Sequence, residues 1–147
     1  MTERIPILSF WNVLLVPIQG EVHDRLAVDL CEEVLGRIHR GGVHALVIDL
    51  TGAWMIDSHL CAVLSRLATS AALMGTRTVF SGMSPEAALT VQTMGIDMPH
   101  VDTARTLANA LELVGLRRVV ERDDIDLRVD DRVGAVRGEF AFDVEER

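Results

Sequence analysis

An α/β sandwich is the fold this sequence predicts, with a mixed, mostly parallel sheet of four to five strands and about four helices. Three observations carry it. Apolar residues recur at helical spacing in two long segments, about residues 24–40 and 58–74. Between those segments lies Ala45–Leu50, a short run apolar on both faces, as expected of a central strand covered by helices. Strands and helices alternate after the first two strands, and that order implies parallel pairing through helical crossovers.

Each element follows from local chemistry. Ile5–Phe10 and Val13–Ile18 are apolar runs joined at Trp11-Asn12 and read as a hairpin. Pro17 has no N–H to give a ladder, which places it near a strand end or on a free edge. A helix follows from about Asp24 to Arg40. Val22, Leu26, Leu30, Val34 and Ile38 recur every four residues, flanked by Ala27, Cys31 and Leu35, and Gly41-Gly42 ends it. After the strand Ala45–Leu50, the turn Thr51–Ile56 leads to a second helix, about Ser58–Met74, whose stripe is Leu60, Val63, Leu64, Leu67, Ala71 and Met74. Thr76–Ser81 is the next strand. Ser84-Pro85-Glu86 opens a third helix with a cap serine, a first-position proline and an acid facing the dipole, and Gly95 closes it. Asp102-Thr103 is expected to start a fourth helix, with Leu107, Ala110, Leu111 and Val114 facing inward.

The domain is expected over residues 1–118. Residues 119–147 differ in character: ten acids and five arginines give a net charge of −5 within a total of −8. Ile125, Leu127 and Val129, then Phe140, Phe142 and Val144, alternate with other residues. That pattern suits an appended hairpin, and the acidity suits a disordered tail.

Composition excludes several functions. The net charge of −8 argues against binding nucleic acid, whose phosphates need a basic face. All 14 basic residues are arginine, which removes Schiff-base and P-loop lysine chemistry. No apolar run reaches the roughly 18 residues of a membrane span. Met-Thr-Glu-Arg lacks the order of a signal peptide, so a cytoplasmic location is expected. Cys31 and Cys61 have no CxxC spacing and read as free thiols. The five histidines, His23, His39, His44, His59 and His100, show no ligand spacing. No catalytic residue, metal site or cofactor is expected, and an enzyme is the least favoured class.

One short stretch stands out. Asp57-Ser58 sits where the second helix begins, at the positive end of its dipole. Ser58 is there either as a helix cap or as a hydroxyl able to accept phosphate. Trp54 and Met55 just before it are exposed-type apolar residues that suit a partner better than water. A phosphate on Ser58, beside Asp57, would charge that rim. Asp49 and Asp57 flank the same turn and suggest a carboxylate pair; the simpler account has Asp49 closing a strand and Asp57 capping a helix. Thr90, in the third helix, is a second hydroxyl of interest, although a helical threonine commonly bonds back to a carbonyl.

Several segments together resemble a known family. They are I-P-I-L-x-x-W-N-x-L-L-V-x-I-Q (5–19), V-I-D-L-T (47–51), M-I-D-S (55–58), L-M-G-T-R-T-V-F-S-G-M-S-P-E-A-A (73–88) and T-V-Q-T-M-G-I-D (90–97). Over about residues 4–116 the chain resembles the STAS domain of anti-sigma factor antagonists, and looks most like the RsbS type, the small scaffold of bacterial stressosomes. The resemblance implies a non-enzymatic protein that assembles with RsbR-like STAS paralogues as a homo- or hetero-oligomer. It implies that the assembly holds an RsbT-like switch kinase, releases it on serine phosphorylation, and so controls a stress sigma factor. Ser58 falls on the phosphoacceptor position, with Asp57, Trp54, Met55 and His59 as the expected partner-binding surround. Thr90 falls where RsbR-type relatives carry a second phosphorylatable threonine and ranks well below Ser58. RsbR-type chains carry an N-terminal sensor domain, whereas this sequence starts at the first strand, which favours the RsbS type. The acidic extension departs from the pattern, since typical RsbS-like chains end near Arg118. Two alternatives share the fold: a stand-alone antagonist of an anti-sigma kinase, and a small-molecule-binding STAS domain or soluble accessory subunit of a membrane transporter.

Overall fold

The computed structural model describes residues 4–98 and 101–116. The expected extension, 119–147, lies outside the described residues. The chain divides into two compact units after Ala110.

The strands are β1 (Leu8–Phe10), β2 (Val13–Gly20), β3 (Ala45–Ala53), β4 (Arg77–Ser81) and β5 (Val101–Ala104). They form one sheet in the order β1-β2-β3-β4-β5. β1 runs antiparallel to β2, and every later pair is parallel. Helices α1 (Asp24–His39), α2 (Ser58–Leu73) and α3 (Pro85–Thr93) connect successive parallel strands. Such crossovers have a fixed hand, so sequential neighbours send their helices to one face. There α1 and α2 pack against each other.

Period-two alternation sets the core. Leu14, Val16 and Ile18 of β2, Leu46, Ile48 and Leu50 of β3 and Phe80 of β4 share one cluster with Leu30, Val34 and Ile38 of α1 and Leu60, Leu64 and Leu67 of α2. The opposite face is buried as well: Val13, Leu15, Ala45, Val47 and Val79 are each at most 7 % exposed. Both faces of β3 are therefore dry, which accounts for its nearly continuous apolar sequence.

The segment before β1 is tied to α1. Arg4 donates to the Glu33 carboxylate and Arg37 to the Ile7 carbonyl. The Arg4 hydrogen bond is the main cause that holds the Glu33 carboxyl below the usual carboxylate range. β1 pairs with β2 only as far as Leu15, so no strand of the described residues flanks Pro17 on that side. A register shift follows between Pro17 and Gln19. Trp11, at the hairpin tip, has φ 51°, a left-handed conformation uncommon for a bulky residue.

Several boundaries differ from the sequence reading, among them the end of β2, which runs past Ile18 to Gly20. β1 is shorter than Ile5–Phe10. β3 continues past Leu50 to Ala53, so Asp49 lies inside the strand rather than closing it. Asp102-Thr103 belongs to β5, and the fourth helix, α4 (Leu107–Leu113), starts later. Thr106 caps α4 by accepting from the Asn109 N–H at 3.1 Å. Asp102 instead accepts from Arg77 Nε at 2.7 Å, across β4 and β5. A four-residue strand is too short for alternation to register, and Asp-Thr imitates a cap.

In the second unit, the Leu116 N–H donates to the Leu111 carbonyl at 2.9 Å, beyond Gly115 with its positive φ. That bond closes the end of α4. No helix among the described residues is long and apolar enough to cross a membrane.

Thr78 on β4 is 0 % exposed, and among the described residues its hydroxyl has no hydrogen-bond partner. A buried, unsatisfied hydroxyl costs roughly 1–3 kcal/mol. Thr78→Val, close in shape, is expected to raise the unfolding free energy by about 1 kcal/mol. The midpoint of urea denaturation measures it, and a lower midpoint would show that the hydroxyl is satisfied.

Candidate functional site

β3 delivers the chain to the start of α2. The Trp54 N–H donates to the Gly20 carbonyl at 2.9 Å, which fastens the first loop residue to the end of β2. Asp57 then adopts extended backbone, φ −90° and ψ 174°, and the helix begins at Ser58. The Asp57 Oδ1 accepts from the Leu60 N–H at 2.8 Å. This is the geometry of an N-cap: extended backbone and a side-chain acceptor for an otherwise orphaned amide.

Asp57, not Ser58, is therefore the helix cap. Ser58 occupies the first helical position and is exposed. Among the described residues its hydroxyl makes no hydrogen bond. α2 runs for 16 residues and carries no acid in its first turn. Its amide dipoles place partial positive charge at Ser58, a setting that favours an added anion.

The other expected site residues gather at the same corner. Trp54 is 85 % exposed and Met55 63 % exposed, and Asp57 and His59 are exposed too. His59 Nε2 lies 3.3 Å from Asp24 Oδ1, which links the first turns of α2 and α1. This contact was not legible in the sequence. Thr90 stands apart, on α3, where its hydroxyl donates to the Glu86 carbonyl at 2.9 Å. That is the back-bonding expected of a helical threonine.

Asp49 and Asp57 do not form a pair with a shared task. Asp49 accepts from Thr51 and Ser81, while Asp57 caps α2. Cys61 is buried one turn into α2, and Cys31 is half-buried on α1. Burial is the chief cause that pushes both thiols above their ordinary range; the Asp57 charge adds to it at Cys61. Neither is poised as a thiolate. No group of three or more His, Cys, Asp or Glu among the described residues is placed to hold a metal ion.

A five-stranded sheet with helical crossovers, and a free serine at the start of the helix after β3, call for comparison with known proteins. The STAS domain family matches residues 7–110. The chain belongs to the STAS domain family. It is 30% identical over 103 residues to the RsbT co-antagonist protein RsbRD of Bacillus subtilis strain 168, covering 70% of this chain and 37% of that one. The chain thus spans little more than a third of the length of that relative. Among solved structures, a serine-to-glutamate variant of RsbS from Moorella thermoacetica aligns with a TM-score of 0.68 at 30% identity, over 75% of this chain and 93% of that one. A chain from the structure described as the molecular architecture of the stressosome aligns at 0.63 and 29% identity, over 74% of this chain and 95% of that one. The protein is therefore a STAS domain related to stressosome components, with the mixed, mostly parallel sheet expected of it.

Asp57→Ala is expected to lower the unfolding free energy by about 1 kcal/mol, the usual cost of losing an N-cap acceptor, while Asp57→Asn keeps most of it. Chemical denaturation distinguishes the two. Equal losses would mean that the cap depends on charge rather than on the acceptor oxygen.

Proposed function

We propose that this chain is a non-enzymatic regulator that sequesters a switch serine/threonine kinase of the RsbT type. It does so in the cytoplasm, within a stressosome-like assembly with RsbR-like STAS paralogues, and releases the kinase when Ser58 is phosphorylated. Through that release it governs a stress sigma factor pathway. The observation that carries the reading is the division of labour at the start of α2: Asp57 takes the cap and leaves the Ser58 hydroxyl exposed and unbonded.

The chemistry follows from that division. A phosphate on Ser58 adds about −1.5 to −2 charges. The helix dipole offsets part of this charge inside the domain, and the cap is untouched, so the fold persists. Outside the domain, the same charge arrives next to exposed Trp54 and Met55. A partner that buries those two side chains must then desolvate a phosphate as well. His59 lies at the same rim and adds a polar contact. Thr90 is the secondary acceptor, disfavoured because its hydroxyl is already engaged with the Glu86 carbonyl. The relatives support the assembly part of the reading, since one is named as a co-antagonist of RsbT and another belongs to a stressosome structure.

Binding of an RsbT-type kinase to two variants tests the switch. Ser58→Ala is expected to retain capture, and Ser58→Asp to weaken it by about tenfold or more, equivalent to roughly 1.4 kcal/mol. Equal affinity of both variants, measured by calorimetry or pull-down, would remove Ser58 from the mechanism.

A further inference from the structure

A second polar site, none of whose residues belongs to the Ser58 corner, lies at the carboxyl ends of β3 and β4. Asp49 on β3 accepts two hydrogen bonds, from Thr51 Oγ1 at 2.8 Å and from Ser81 Oγ at 2.9 Å, and both reach the same oxygen, Oδ1. Ser81 is 0 % exposed, so one of the two donors is a fixed part of the sheet. The carboxylate is held in place by one oxygen, and among the described residues the other, Oδ2, accepts nothing.

Gly82 completes this wall. Its φ is +70°, and a Cβ there would come within 2.0 Å of Thr51 Oγ1. Any side chain would push Thr51 off Asp49, so glycine preserves the anchoring hydroxyl and leaves the wall bare.

Asp49 faces an open cavity of about 630 Å³, lined also by Met83, Arg105 and Leu107. It is a broadly solvent-open groove, with room for a small molecule rather than an enclosure for one. Arg105 is exposed and makes no hydrogen bond or ion pair among the described residues, with Asp49 or with any other. One cavity thus presents an unfilled acceptor, an unfilled cationic donor and apolar surface from Met83 and Leu107. A purely anionic ligand would satisfy Arg105 and be repelled by Asp49. An amine would do the reverse. A molecule carrying both charges satisfies both walls.

We infer that the cavity binds a free α-amino acid with an apolar side chain: its ammonium group donates to Asp49 Oδ2, its carboxylate accepts from the Arg105 guanidinium, and its side chain lies on Met83 and Leu107. The site shares no residue with the Ser58 corner, so it stands or falls independently of the kinase switch.

Titration calorimetry of the full chain tests it with three probes: L-leucine, 3-methylbutylamine and 4-methylpentanoate, the last two being leucine without its carboxylate and without its amine. L-Leucine is expected to bind, and each half-ligand to bind at least tenfold more weakly. Arg105→Gln, an exposed change that leaves the sheet intact, is expected to weaken L-leucine at least tenfold. Asp49→Asn is expected to do the same, with its melting curve checked because Asp49 also anchors Thr51 and Ser81. No heat of binding with L-leucine, equal binding by either half-ligand, or unchanged affinity in Arg105→Gln would overturn the inference.

Discussion

The hydrogen bond from the Leu60 amide to the Asp57 carboxylate decides what the rest of the site is free to do. A helix start must satisfy its first amides, and serine and aspartate are both apt for that work. Had Ser58 taken it, the hydroxyl would be committed to the fold, and modifying it would cost the helix its cap. With Asp57 in the role, the cap and the proposed phosphoacceptor are adjacent but separate side chains. The same bond sets where Ser58 points from, because it fixes the first turn of α2 against the end of β3.

The sheet supports this corner from below. β3 is buried on both faces and hydrogen-bonded on both edges, to β2 and to β4. Its end is held further by the bond from Trp54 to Gly20. α2 then packs against α1, with Leu60, Leu64 and Leu67 in the core that both helices share with the sheet. A rigid strand and a packed helix thus hold between them a short loop whose apolar side chains, Trp54 and Met55, face water. Exposed apolar surface next to a modifiable hydroxyl is an arrangement in which added charge acts on a partner rather than on the core. On the same strand, Asp49 lines the open cavity that Arg105 also borders.

Much of this was legible before any coordinates. The stripe from Leu60 to Ala71 placed α2, and the Ser84-Pro85-Glu86 start placed α3, because helix periodicity and capping are local. What was missed is non-local. β5 is four residues long, and its Asp102 finds Arg77 in another strand, so no window of sequence reveals it. Asp49 looked like the end of a strand because its partner Ser81 lies 32 residues away. The choice between Asp57 and Ser58 as the cap was open for another reason: both residue types fit, and only the backbone angles at Asp57 and the direction of the Leu60 amide settle it. The link between His59 and Asp24, and the cavity shared by Arg105 and Asp49, likewise exist only once the chain is folded.

The most direct measurement combines phosphate mapping with stability. The protein is incubated with an RsbT-type kinase and ATP, the modified residue is located by tandem mass spectrometry, and thermal unfolding of the modified and unmodified forms is compared. One phosphate on Ser58, with no loss of melting temperature, is the expected result, since the cap stays on Asp57 and the helix dipole accommodates the charge. A phosphate found elsewhere with Ser58 unmodified, or a phosphorylated protein that unfolds, would contradict the separation of cap and switch.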